Sequence, residues 1–283
     1  MSDSWTRYRL TWQLASPLHI GYRTIGTIAR TRLWVPGRNL WGGFVETIAL
    51  SKGGIDSSYK EAQKEVNNHL RFEAGFLSYK ADGECMPKWE DGNGSNKIGL
   101  YYGECSEAEL QRLVLASSVS TALDNGVADE GNLFETEYIS PILLHAMDNT
   151  VSPVYLHAHV WSNNGDSILN QMKTLQIGGE RTKGYGRLEK GRIVPCNSGF
   201  KMEDDDILVI SSETPFPLLV ETKEISVLRG QAEPIIGRTT TESGKYGSHL
   251  ESARICWLPG TVSQQEVKVK LSAKCPGIGI KPV

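Results

Sequence analysis

Over residues 7–14 the apolar Tyr8, Leu10, Trp12 and Leu14 alternate with Arg7, Arg9, Thr11 and Gln13, the two-residue period of a half-buried strand. Gly21, Gly26, Pro36 and Gly37 punctuate a loop, after which the apolar run 40–50 predicts a helix with Arg38 or Asn39 as N-cap. Residues 59–68 predict a second, polar helix. Leu70, Phe72, Ala74, Phe76 and Leu77 then have strand spacing within 69–79, and residues 81–97, rich in Gly, Asp and Asn, predict a long loop or hairpin. The segment 106–115 predicts a helix opening on Ser106-Glu107-Ala108-Glu109, which sets acidic side chains at the positive end of its dipole. A strand over 151–161 and a helix over 166–175 follow. Strand, helix, strand, strand, helix, strand is the order of a ferredoxin-like βαββαβ sheet.

After Gly191 the texture changes. Residues 207–210, 218–221, 225–228, 254–257 and 267–271 are short strand candidates with little helix between them. A boundary falls within 196–205, where Cys196-Asn197-Ser198-Gly199 runs into the acidic Glu203-Asp204-Asp205-Asp206. The expected organisation is α+β, with a ferredoxin-like unit over 1–196 and a smaller β-rich unit over 197–283. The length of 283 residues agrees with two domains of roughly 150 residues each or with one large one. Arg32-Leu33-Trp34-Val35-Pro36-Gly37 is faintly echoed by Cys256-Trp257-Leu258-Pro259-Gly260, although a strand stopped by Pro-Gly is also ordinary turn chemistry.

With 39% apolar and 22% charged residues the chain is globular rather than disordered or collagenous. No run approaches the ~18 apolar residues of a membrane helix, and Met1-Ser2-Asp3-Ser4-Trp5 has neither a basic nor an apolar leader region, so a cytoplasmic protein without membrane contact is expected. The five cysteines form no CxxC pair and are expected to be reduced thiols without metal. The net charge of −3 advertises no polyanionic partner, but its distribution does. Residues 1–50 hold six arginines (Arg7, Arg9, Arg23, Arg30, Arg32, Arg38) against Asp3 and Glu46. Residues 173–192 set Lys173, Arg181, Lys183, Arg187, Lys190 and Arg192 against Glu180 and Glu189. Meeting in space, the two stretches would make one phosphate-attracting face.

Within the second stretch, Gly178-Gly179-Glu180-Arg181-Thr182-Lys183-Gly184-Tyr185-Gly186-Arg187 places four glycines among three cations. Glycines let a backbone come close to a ligand, and the cations make that ligand anionic. The order helix, glycines, strand is the reverse of a P-loop or a Rossmann fingerprint, so no nucleotide cofactor is expected. A glycine-rich turn with incidental surface charge is the plainer alternative.

The pattern GGxxxxGxGR resembles the glycine-rich loop of the RAMP superfamily of CRISPR-associated proteins. Ser16-Pro17-Leu18-His19-Ile20-Gly21, then Leu33-Trp34-Val35-Pro36-Gly37-Arg38-Asn39-Leu40-Trp41-Gly42-Gly43, resembles that superfamily's "PLHIG" segment and "IPGSSLKGA" helix start. Thr121-Ala122-Leu123-Asp124 through Gly131-Asn132-Leu133-Phe134-Glu135-Thr136-Glu137 is similar to a segment of several type III members. The resemblance covers about residues 7–192 and implies two modified ferredoxin-like, RNA-recognition-like domains, the second β-rich. Residues 19–36 contain no Asp or Glu, which argues against metal-assisted target cleavage from that loop, and the long tail after Arg187 is most like the subunit that caps the crRNA 5′ handle in type III effector complexes.

On that resemblance the chain is a non-catalytic RNA-binding subunit of a ribonucleoprotein for antiviral defence. Its partners are crRNA, a neighbouring RAMP backbone subunit and the large signalling subunit. RNA contacts are expected from His19, Arg23, Arg30, Arg38, Gly178, Gly179, Arg181, Lys183, Gly184, Tyr185, Gly186 and Arg187, with the amides at the start of the 40–50 helix also offered to phosphates. Tyr185 either stacks on a base or packs, and Trp34 and Trp41 belong to the core. The runner-up readings are a backbone subunit of the same complex, a structural assembly subunit, and a metal-independent endoribonuclease processing CRISPR repeat RNA with His19 as general base. His157 and His159 alternate on one strand, but have no third ligand nearby in sequence to make a metal site.

Overall fold

The computed structural model describes residues 5–83, 86–91, 98–124, 127–144, 151–196, 199–222, 224–239 and 248–282. In β1 (Thr6–Leu14) the expected apolar face is buried at Leu10, Trp12 and Leu14, but Arg7 and Thr11 of the opposite face are buried as well. The reason is that both faces of its sheet are covered. The chain then forms the hairpin β2 (Gly21–Ile25) and β3 (Ile28–Thr31), the short β4 (Trp34–Val35) and α1 (Gly37–Ser51). The N-cap of α1 is Pro36 rather than Arg38 or Asn39: proline presets the entry angle, and its carbonyl accepts from the amides of Asn39 at 2.9 Å and Leu40 at 3.4 Å.

Next come α2 (Asp56–His69) and β5 (Leu70–Ser78). Where a loop or hairpin was expected over 81–97, β6 (Pro87–Asp91) and β7 (Ile98–Tyr102) form a ribbon joined by β8 (Cys105–Ser106). Ser106 caps α3 (Glu107–Val114), its Oγ accepting from the Glu109 amide. The long hairpin β9 (Leu115–Asp124) and β10 (Val127–Ile139) precedes β11 (Tyr155–Ser162), α4 (Asp166–Leu169), β12 (Leu175–Gln176) and β13 (Arg187–Pro195). The helix expected over 166–175 stops at Leu169. The carbonyls of Met172 and Lys173 instead accept from Trp12 Nε1 at 2.7 Å and the Gly191 amide at 2.9 Å, which fastens this turn to β1 and β13.

The first sheet has the order β12-β13-β1-β11-β5-β4, with β1 antiparallel to both β11 and β13. Phe44 of α1 lies edge-on between Trp12 (6.4 Å) and Phe72 (5.0 Å), so the first helix seals one face. A second sheet, β2-β3-β10-β9, contains a parallel pair, β3 with β10.

Among the described residues after 199, apart from a single 3-10 turn (Asp204–Asp206), the regular elements are strands: β14 (Lys201–Glu203), β15 (Ile207–Ile210), β16 (Leu219–Glu221), β17 (Val227–Arg229), β18 (Ala232–Ile235), β19 (Arg238–Thr239), β20 (His249–Leu250), β21 (Arg254–Trp257), β22 (Val262–Ser263), β23 (Val267–Leu271) and β24 (Ile278–Ile280). Seven of them form the sheet β14-β15-β23-β24-β16-β21-β18. Among the described residues after 199 there is no α-helix. The alternating burial of β23, with Val267, Val269 and Leu271 inward, is a strand pattern with nothing of helical period to compete with it.

The two parts share their core. Leu219, Cys256, Cys275 and Ile278 belong to the apolar cluster of the first sheet, and Trp161 of β11 belongs to the cluster of Leu208, Phe216 and Val269. At this seam Arg7 is buried against Glu73 of β5, Nε donating to Oε1 at 2.8 Å, with its guanidinium 4.8 Å from the Phe200 ring centroid. Arg7 therefore leaves the basic face. Cys105, Cys256 and Cys275 are buried free thiols and Cys196 is partly buried; Cys85 lies outside the described residues.

Candidate nucleic-acid interface

Four hydrogen bonds lace the loop after β1 to the glycine-rich loop. The Gly179 amide donates to the His19 carbonyl at 2.9 Å, the Gly186 amide to the Pro17 carbonyl at 2.7 Å, and the Arg187 amide to Ser16 Oγ at 2.9 Å. The Ala15 amide donates back to the Arg187 carbonyl at 2.9 Å. The two basic stretches thus meet along one ridge. Gly178, Gly184 and Gly186 have φ of +84°, +85° and +83°, the left-handed region that a side chain resists. A Cβ at Gly178 would strike the His19 carbonyl and one at Gly186 the Ile177 carbonyl, whereas Gly184 has open space around it. At Gly178 and Gly186 the glycine admits the chain's own backbone, which is the turn alternative; only Gly184 is left open to a ligand.

The side chains divide in the same way. Tyr185 packs: its ring meets Tyr138 edge-on at 5.6 Å and its hydroxyl lies 3.1 Å from Ser118 Oγ. Arg181, on a single tight turn, pairs with Glu46 of α1. Lys183 pairs with Glu180 at 2.7 Å and sits 5.3 Å from the Phe134 ring centroid, and Arg187 pairs with Glu189 at 2.7 Å while 65% exposed. Arg30 pairs with Glu137 at 2.6 Å. Arg32 stacks between Tyr22 and Trp34 and pairs with Glu233 of β18. Arg23 lies over Tyr22 on the exposed β2. Exposed pairs of this kind are worth only about 0–1 kcal/mol, so the partners of Lys183 and Arg187 yield readily to a phosphate. The carboxylates Glu46, Glu137, Glu233 and Glu251 come from far along the chain and have no sequence signal; Glu180, three residues before Lys183, had one.

His19 is only 8% exposed. Its Nδ1 is 2.6 Å from the Glu137 carbonyl and so carries the proton, and its ring covers Gly21 and Gly179, where a Cβ would lie 2.8 Å from Nε2 and 3.2 Å from Cδ2. It packs the two loops and β10 together. His157 is fully buried between Thr11 Oγ1 at 2.8 Å and the Lys80 carbonyl at 2.9 Å, and burial lowers its pKa. Burial also lowers that of His159, to about 4, against the opposing pull of Glu73. Among the described residues no three potential metal ligands cluster.

The N-terminus of α1 faces protein, contrary to the expected phosphate site. Gly277 (φ +74°) closes over it so tightly that a Cβ there would lie 2.6 Å from the Arg38 nitrogen. Arg38 itself turns to the C-terminal strands, pairing with Glu251 at 2.7 Å. Beside it a cavity of about 470 Å³ is walled by Gly42 and Glu46 of α1, Gly178 and Arg181 of the glycine loop, and residues 236–238. A second, of about 720 Å³, shares Arg38 and Trp41 with it. Among the described residues no helix is long and apolar enough to cross a membrane.

No family model and no curated protein matches the chain. Among solved structures, a chain of the cryo-EM structure of the type III-B Cmr-beta bound to cognate target RNA is similar over 90% of this chain and 86% of that one, with 12% identity and a TM-score of 0.51. A chain of the Cmr-beta bound to cognate target RNA and AMPPnP, state 1, is similar over the same shares, with 13% identity and a TM-score of 0.53. What these identities establish is a shared mixed α+β fold, built mostly of strands, extending across nearly the whole of both chains.

Proposed function

We propose that the chain is a non-catalytic RNA-binding subunit of a type III CRISPR ribonucleoprotein, holding the 5′ handle of crRNA and contributing to antiviral defence. One observation carries the reading: the loop after β1 and the glycine-rich loop are laced into a single ridge that presents Lys183 and Arg187 to solvent, with Arg181 at its edge, and the loop runs on into the exposed β2 that carries Arg23. The fold shared with chains of a complex captured on target RNA supports it. So does the order β13-β1-β11-β5, which is fourth, first, third, second of the βαββαβ series and supports a ferredoxin-like reading of the N-terminal sheet. In this role the ridge grips phosphates, while guide–target pairing supplies sequence specificity, as in other guided systems. A RAMP backbone subunit and the large signalling subunit would flank it.

The test is purification of the chain with the products of its neighbouring genes, sequencing of the bound RNA and mapping of its crosslinks. RNAs of one uniform 5′ end, crosslinked near residues 19–32 and 178–187, are expected. An RNA-free complex, or crosslinks confined to residues 199–282, would overturn the reading. Cleavage of repeat RNA in EDTA that disappears in His19→Ala would make the protein an endoribonuclease instead. The burial of His19, only 8% exposed, supports the non-catalytic reading.

A further inference from the structure

The ribbon of β19 and β20 pairs Arg238 with Leu250 and Thr239 with His249, and the Glu251 amide donates to the Gly237 carbonyl at 2.9 Å. Little apolar surface holds this ribbon down: Ile236 is 57% exposed and Leu250 58%. What holds it is Arg38 of α1. Its Nη1 donates to Glu251 Oε2 at 2.7 Å on one strand and its Nη2 to the Arg238 carbonyl on the other. The guanidinium fills the space over Gly237, where any Cβ would collide with it. Both partners are mostly shielded, Arg38 at 16% and Glu251 at 18% side-chain exposure, so the pair is better insulated from solvent than those of the ridge. Residues 236–238 form one wall of the cavity whose other walls are α1 and the glycine loop, which places Arg238 and Arg181 on the same cavity.

We infer that Arg38 and Glu251 form a latch that positions the β19–β20 ribbon, with residues 236–238 as a wall of the RNA site, and that Arg38 is a positioning residue and not a phosphate contact. The inference rests on the RNA-binding reading above and ties the C-terminal sheet to affinity at the glycine loop. It makes a prediction of opposite sign to the simple view of Arg38 as an RNA ligand. If Glu251 merely masked Arg38, removing its charge would release the arginine and tighten binding; as half of a latch, its loss loosens binding.

The experiment uses the full chain, its Arg38→Ala and Glu251→Gln variants and the double variant. Binding of a short fluorescent single-stranded RNA is titrated across a series of salt concentrations, with hydrogen exchange followed over residues 236–239 and 248–251. The latch predicts that each single variant weakens binding about tenfold, as expected for positions that couple to a site without touching its ligand. The double variant is then no weaker than Arg38→Ala, and the salt slope keeps its wild-type value. Tighter binding by Glu251→Gln, or a slope reduced by the ~0.7 of one lost single-strand phosphate contact in Arg38→Ala, would overturn it. Should the wild-type chain bind no RNA, the functional reading fails, and the exchange data still decide the latch: faster exchange of the Glu251 amide in Arg38→Ala upholds it, and unchanged exchange removes it.

Discussion

Gly184 and Gly186 share a left-handed backbone two residues apart and differ in what surrounds them. An alanine at Gly184 bears only the conformational cost, roughly 1 kcal/mol, because nothing lies within 4 Å of its Cβ. At Gly186 the same Cβ meets the Ile177 carbonyl, so Gly186→Ala must also break the Ile177–Gly186 and Gly186–Pro17 hydrogen bonds and is expected to cost about 3 kcal/mol or more. Urea unfolding of the two variants ranks them; equal losses would mean that the loop is not seated as described. His159 supplies a pH dependence. Its pKa falls from an ordinary 6.5 to about 4 on folding, so between those values the unfolded chain takes up a proton that the folded chain refuses. Stability is therefore unaffected by this group above about pH 6.5 and declines as the pH falls, by on the order of 3 kcal/mol at pH 4. The buried His157 acts in the same direction, while Glu73, its pKa raised by burial but lowered on balance by Arg7, adds its loss only at still lower pH. His159→Gln should flatten the stability profile from pH 6.5 to 4.5, and an unchanged slope would show that His159 charges freely in the fold. At this scale the sequence disclosed residue types but not partners. The glycines and cations of 178–187 stood out, whereas Glu46, Glu137 and Glu251, which answer Arg181, Arg30 and Arg38, are brought up only by the fold.

Elements with one buried face and a regular period were legible. α1 and α3 overlap the segments that an apolar run and the Ser106 cap mark, because in each the apolar stripe is the buried one; β1 lies where its alternation puts it, although Arg7 and Thr11 of its polar face are buried as well. The second sheet was not legible for the converse reason: β2 is exposed at every residue, so no apolar alternation marks it, and its partners are set by long-range pairing of β3 with β10. α4 shows local propensity yielding to tertiary bonds. The turn after Leu169 is held because Trp12 Nε1 and the Gly191 amide reach the carbonyls of Met172 and Lys173. Trp12→Phe keeps an aromatic in the core but leaves the Met172 carbonyl without its donor and a small void beside Phe44. We expect a loss of about 2–4 kcal/mol, with hydrogen exchange quickening over residues 170–176 before the rest of the sheet. Uniform quickening would assign the tryptophan a packing role alone.

The whole molecule is more continuous than the composition break near residue 200 implied. That break is real as a change from mixed α/β to strand, but the core crosses it: Leu219, Cys256 and Ile278 complete the first cluster, and Trp161 anchors the second. Arg71 of β5 pairs with Asp206 at 2.6 Å, the Ala74 amide donates to the Pro217 carbonyl at 2.9 Å, and Gly277 covers the start of α1. Removing residues 197–283 would uncover Trp161, strip the Phe200 ring from the buried Arg7–Glu73 pair and open the N-terminus of α1. A charge pair made for a dry seam is costly to leave half covered, since its partners were desolvated for each other. The fragment 1–196 is therefore expected to lack a cooperative thermal transition and to bind a hydrophobic dye, while the full chain melts in one step. A sharp transition in the fragment, at a temperature close to that of the full chain, would make the second sheet an appendage. Cooperative melting of the full chain alone has a functional consequence: the wall that Arg38 and Glu251 hold against the glycine loop would then rise and fall with the fold as a whole, so that RNA affinity and global stability are lost together as the seam is weakened.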